Sequence, residues 1–169
     1  TALHKFLQKR LLEYFRGRIA LSRARSGQPV DDSVSDRDLY RSVVWAGLLS
    51  RVAHADARLC PAERDQLLDI LAADPSVPRP DLEVLVGAFF DGELADVDLP
   101  TLVKEFNRLA GDDGSSLLDC LFLVAAADGE LRDSELEVIR KIAAGVGFGA
   151  PAYRRALDRA RRRLEAGWN

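Results

Sequence analysis

A nine-residue acidic stretch occurs twice in this chain. Ala55-Asp56-Ala57-Arg58-Leu59-Cys60-Pro61-Ala62-Glu63 returns as Ala127-Asp128-Gly129-Glu130-Leu131-Arg132-Asp133-Ser134-Glu135, displaced by a constant 72 residues. The register extends outward, with Leu49, Val52 and Ala53 answered by Leu121, Val124 and Ala125, and Leu67 and Ile70 by Ile139 and Ile142. Apolar residues at helical spacing flank each stretch, so each copy reads as a helix, a short acidic loop and a second helix. Two such copies in one fold can meet near a pseudo-twofold axis, and a carboxylate-bearing loop presented twice is one way to collect oxygens for a cation. No reaction follows from the pattern.

The rest of the chain reads as helix too. Leu3, Phe6, Leu7, Leu11, Phe15 and Ile19 give an amphipathic helix over about 2–24 with a basic opposite face. Gln28-Pro29-Val30-Asp31-Asp32-Ser33 lacks apolar periodicity and marks a linker, so residues 1–35 form a basic arm and 36–169 the globular domain. Seven helices follow: one through Leu39, Val43, Trp45, Leu48 and Val52; one opened by Pro61; one through Leu82, Leu85, Phe89 and Phe90 that stops at Gly92; one from about Asp98 to Gly111; one bearing Leu118, Leu121 and Val124; and two over about 134–145 and 151–166. No β-type alternation appears. The expected fold class is all-α, a compact antiparallel helical bundle with an internal pseudo-twofold repeat plus an N-terminal amphipathic helix.

At 169 residues one compact domain with a full core is expected. The apolar run Leu117–Ala127 is too short for a membrane span and carries Asp119. Cys60 and Cys120, with no signal-peptide pattern, read as free thiols of a reducing compartment, which places the chain in the cytoplasm. The sequence opens at Thr1 and contains no methionine, so it is expected to be a piece of a longer product. Charge is segregated. Residues 1–25 hold seven bases and one acid and residues 150–169 six bases and two acids, so of 27 acids and 24 bases the middle keeps 24 and 11, a net charge of −13. The cationic ends either answer the acidic body internally or reach an anionic partner. Nucleic acid ranks last among partners, since no binding module accompanies the charge.

Ala-Asp-Gly-Glu-Leu-x-x-x-Glu at 127–135, with its copy at 55–63, resembles the TerB-like domain of tellurite-resistance proteins. Phe89-Phe90-Asp91-Gly92-Glu93-Leu94-Ala95-Asp96-Val97-Asp98-Leu99 is similar to the TerB-type region of membrane-anchored J-domain co-chaperones. The resemblance spans about residues 36–150, and the chain holds no His-Pro-Asp tripeptide of a J-domain. It implies a compact helical bundle, an acidic surface binding divalent metal, no catalytic activity, and a role in tellurite and other stress responses or in assemblies at the cytoplasmic face of the inner membrane. The expected function is thus a non-enzymatic interaction module at or near that membrane surface, with protein partners and contact to anionic lipid through the basic helix. The alternative is a metal-independent regulatory or co-chaperone accessory domain.

The expected metal ligands are Asp128, Glu130 and Glu135 with Asp56 and Glu63, and the expected ion is Ca²⁺ or Mg²⁺, a hard cation that takes oxygens. Two readings compete at these residues. Asp128-Gly129 is also good chemistry for ending a helix, and Glu63 and Glu135 suit first-turn caps. The copies also differ, because Ala57 and Arg58 stand where the second has Gly129 and Glu130, and Arg58 would neutralise the shared acidic surface. Asp91-Gly92-Glu93-Leu94 repeats four letters of the motif but reads as a turn. His54 reads as a partly buried histidine rather than a base, and Cys60 as an N-cap with no Cys-x-x-Cys or zinc set around it.

Overall fold

The computed structural model describes residues 2–29, 33–55, 60–109 and 114–167. All regular structure among them is helical: α1 (Ala2–Arg25), α2 (Asp36–Ala53), α3 (Pro61–Ala72), α4 (Arg79–Phe90), α5 (Leu99–Leu109), α6 (Gly114–Ala125), α7 (Asp133–Gly145) and α8 (Ala150–Glu165). The boundaries follow local chemistry. Ser35 Oγ accepts the Asp38 N–H at 3.1 Å and starts α2, while prolines in the first two positions open α3, α4 and α8.

α2 is the axis of the molecule. It packs against α1, α3, α4, α5, α6 and α7, and Leu39, Tyr40, Val43, Leu48, Leu49 and Val52 on it are buried almost completely. Its repeat partner α6 lies against it, and the cross contacts are reciprocal: α3 packs on α6, and α7 packs on α2. That exchange is what a twofold relation between α2–α3 and α6–α7 requires. Burial agrees at four pairs, since Leu49, Val52, Ala53 and Leu67 are fully buried and so are Leu121, Val124, Ala125 and Ile139, while Ile70 is half-buried and Ile142 fully buried. α4 and α5 form the insertion between the copies, and α8 covers α6 and α7.

The basic N-terminal helix does not stand apart from this body. Leu11, Leu12 and Phe15 belong to the common core, with the Phe15 ring 5.8 Å from Phe89. Its cationic face is answered from distant elements. Arg10 pairs with Asp96 at 2.6 Å, Arg16 with Asp36 at 2.6 Å, Arg18 with Glu93 at 3.1 Å, and Arg23 with the buried Asp81 at 2.9 Å. His4 Nδ1 lies 2.7 Å from Glu105, a buried carboxylate that also accepts hydrogen bonds from Tyr40 and Arg108. Burial, reinforced by Glu105, raises the Tyr40 phenol above its ordinary range. The large apolar side chains that α1 leaves exposed are Leu3 and Phe6 near its start, 78% and 66%, and Leu21, 48%. The Asp91–Asp96 segment is a turn that docks this helix, with Gly92 at φ +75° and Leu94 buried beneath it. No helix among the described residues is long and apolar enough to cross a membrane.

Candidate metal centre between the repeats

The second acidic turn is built by its own hydrogen bonds. α6 ends at Ala125, and Gly129 takes φ +92°, a conformation that costs glycine little. Asp128 Oδ1 then accepts the Glu130 N–H at 3.1 Å, which fixes the carboxylate over the turn. Arg132 is the N-cap of α7, and its N–H donates to Glu135 Oε1 at 3.0 Å. In the first copy Cys60 is the N-cap of α3 with nearly the same backbone, φ −91° and ψ 126° against −94° and 148°. Glu63 and Glu135 occupy the same position three residues on and are both fully buried.

The helix pairing brings the two turns together. A donor atom from each of Cys60, Glu63 and Asp128 lies within 4.8 Å of the other two, so the first copy contributes a thiol and a buried carboxylate and the second an aspartate. These residues come from the start of α3 and from the turn that follows α6, and the two helices pack on one another. A thiol and two carboxylates are donors that divalent cations accept.

The expected ligands therefore divide. Glu63 and Asp128 meet. Glu130 points to solvent, 70% exposed, and accepts from Arg132 Nη2 at 3.1 Å. Glu135 caps α7 and lies outside the cluster of three. Asp56 and Arg58 fall outside the described residues. The cation that answers the acidic surface among the described residues is Arg132, whose Nη1 also reaches Asp128 Oδ2 at 2.5 Å. Cys60 enters the cluster although no cysteine spacing in the sequence marks it as a ligand. The available signal was its place in the repeat, three residues before Glu63, rather than any cysteine spacing.

His54 caps the C-terminus of α2, and its ring lies 5.2 Å from Phe90. Burial pushes its pKa below the ordinary value, opposed by a hydrogen bond to the Phe89 carbonyl and assisted by the Arg51 charge. The cavity beside it, about 210 Å³, is lined among the described residues by Ser50, Arg51, Phe89, Gly92 and Leu94, with none from either acidic turn. Cys120 is half-buried, and burial raises its thiol to about 11.

A profile of the family described as tellurite resistance protein TerB matches residues 42–158, which contain both copies and the insertion between them. Comparison with curated proteins and with solved structures gives no match.

Proposed function

The chain belongs to the TerB family of tellurite-resistance proteins, and from that premise we propose that it is a non-catalytic interaction module that binds a divalent cation between its two repeats. The observation that carries the reading is the convergence of Glu63 and Asp128 with Cys60, donors supplied by both copies. Such an ion would tie the start of α3 to the turn that follows α6 and so couple cation binding to the packing of the repeats. A bound cation stabilises the folded state in proportion to the logarithm of its concentration over Kd.

Arg132 opposes binding. Its guanidinium sits on Asp128, so an incoming ion works against a resident positive charge. Replacing it with glutamine removes that competition and is expected to tighten binding, whereas Asp128→Asn weakens it. Calorimetric titration with Ca²⁺, Mg²⁺, Mn²⁺ and Zn²⁺ tests the reading. Heat of binding and a raised melting temperature, with an affinity that Asp128→Asn reduces at least tenfold, support it. Absence of both at millimolar ion sinks it.

The same arginine favours a second reading, a metal-independent accessory domain in which Arg132 is the permanent counter-ion of the second turn. That reading predicts partner binding indifferent to chelator. Contact with an anionic membrane surface, the remaining clause of the proposal, is supported by exposed Leu3 and Phe6 beside Lys5 and Lys9 on the first turns of α1. A role in tellurite or other stress responses follows from family membership and is part of the same proposal.

A further inference from the structure

We infer that Cys60 is a thiolate ligand and that the inter-repeat site takes a thiophilic divalent cation of the zinc class in preference to calcium or magnesium. This rests on the reading that the cluster holds a cation at all, and it concerns which one.

Three observations point to sulfur. Cys60 occupies the N-cap of α3, where serine, threonine or aspartate would accept a hydrogen bond from the first turn, yet its side chain makes no capping bond. The thiol is not used by the helix it begins. Its Sγ instead lies within 4.8 Å of carboxylate oxygens of both Glu63 and Asp128. Among the described residues only two carboxylates, Glu63 and Asp128, meet the thiol, few oxygens for calcium. Calcium takes about six to eight oxygens, and of the expected acidic ligands in the described residues Glu130 is turned out onto Arg132 while Glu135 caps α7.

A set of one sulfur and two carboxylates matches zinc, which takes about four ligands and accepts sulfur and oxygen together. Ligand bonds of about 2.0–2.3 Å place the donors of one zinc ion within about 4 Å of one another. Modest side-chain movement therefore suffices to close the set. The three donors among the described residues leave a position for a further ligand. Binding exchanges the thiol proton for the metal: the S–H bond breaks, an S–metal bond forms, and one proton passes to solvent with no change of oxidation state.

The test uses the full chain and its Cys60→Ser, Cys120→Ser and Asp128→Asn variants, with folding of each checked by circular dichroism. Zn²⁺ affinity is measured by competition with a chromophoric chelator, Ca²⁺ affinity by calorimetry, and Co²⁺ is added as a spectroscopic stand-in for zinc. The expected result is Zn²⁺ bound at least a hundredfold more tightly than Ca²⁺, a thiolate-to-Co²⁺ charge-transfer band, and loss of both the band and at least tenfold in Zn²⁺ affinity in Cys60→Ser but not in Cys120→Ser. Ca²⁺ binding that depends on Asp128 and ignores Cys60 overturns this inference and leaves the cation reading standing. If no ion binds the wild-type chain, both fall together. A Co²⁺ complex without the thiolate band overturns the inference even where Zn²⁺ binds.

Discussion

The two repeats agree where they are buried and differ where they cap. Leu49, Val52, Ala53, Leu67 and Glu63 are matched in burial by Leu121, Val124, Ala125, Ile139 and Glu135, all at 0% exposure. Three other pairs at the same displacement diverge: Cys60 faces Arg132 at the N-caps, His54 faces Ala126 past the first helix of each copy, and Ala73 faces Gly145 at the end of the second. Interior positions must satisfy close packing on both sides of the pseudo-twofold, so a change there is costly in either copy. Helix ends carry that constraint only where a neighbour comes close, as Val103 does at Gly145. The molecule has accordingly become asymmetric at its turns, with a thiol on one side and a guanidinium on the other of a site that both halves build.

The largest effect should come from the shared interior, where the copies ought to respond alike. Leu49→Ala and Leu121→Ala each remove a fully buried side chain at equivalent places, and each is expected to cost about 2–5 kcal/mol. Urea unfolding followed by circular dichroism would give both values. Costs that differ by more than about 2 kcal/mol would mean that one copy relaxes into the cavity far better than the other, and the equivalence drawn from burial would not hold.

A smaller effect is expected where the copies part. A Cβ added at Gly145 would lie 2.7 Å from Val103 Cγ1 on α5, so the end of α7 approaches that helix more closely than a side chain allows. The β-branched Val103 has little freedom to move aside. Gly145→Ala should destabilise by about 1 kcal/mol, the overpacking cost of about 1–3 kcal/mol being partly offset by the better helix propensity of alanine. Adding Val103→Ala should recover part of that loss beyond what the two single changes predict, read as a coupling energy in a double-mutant cycle. Additive losses would show that the close approach is not what keeps glycine there.

How much of this was legible in the sequence follows the same division. Helix ends were readable because prolines at 61, 80 and 151 and the Asp128-Gly129 turn act locally, within one turn of chain. The docking of α1 was not, because the acids that answer its arginines sit at 36, 81, 93 and 96 and only the tertiary fold brings them near. At the site, the repeat itself pointed to Glu63 and Asp128. What it could not divide was labour among equivalent acids. Glu130 and Glu135 carry the same charge in the same motif, yet one is drawn to a neighbouring arginine and the other to a backbone N–H. Cys60 was hidden for a related reason, since its neighbour Asp128 comes from the other copy and no local cysteine spacing announces it.

The smallest expected effect separates the copies by pH. His54 ends the first helix of copy one, and at the matching place in copy two stands Ala126, which cannot titrate. Burial, the dominant cause, holds His54 below its ordinary value of 6.5, and Arg51 pushes in the same direction against the Phe89 carbonyl. The unfolded chain therefore takes up the proton first as pH falls. Stability from this residue is fully present above about pH 6.5, declines as pH drops through that value, and stops declining once the folded form is also protonated. Urea midpoints measured between pH 7.5 and 5 should fall less in His54→Gln than in the wild type, even if the variant starts lower. Parallel curves would remove His54 as the source of acid sensitivity, and the His54–Ala126 difference between the two copies would then have no consequence for folding.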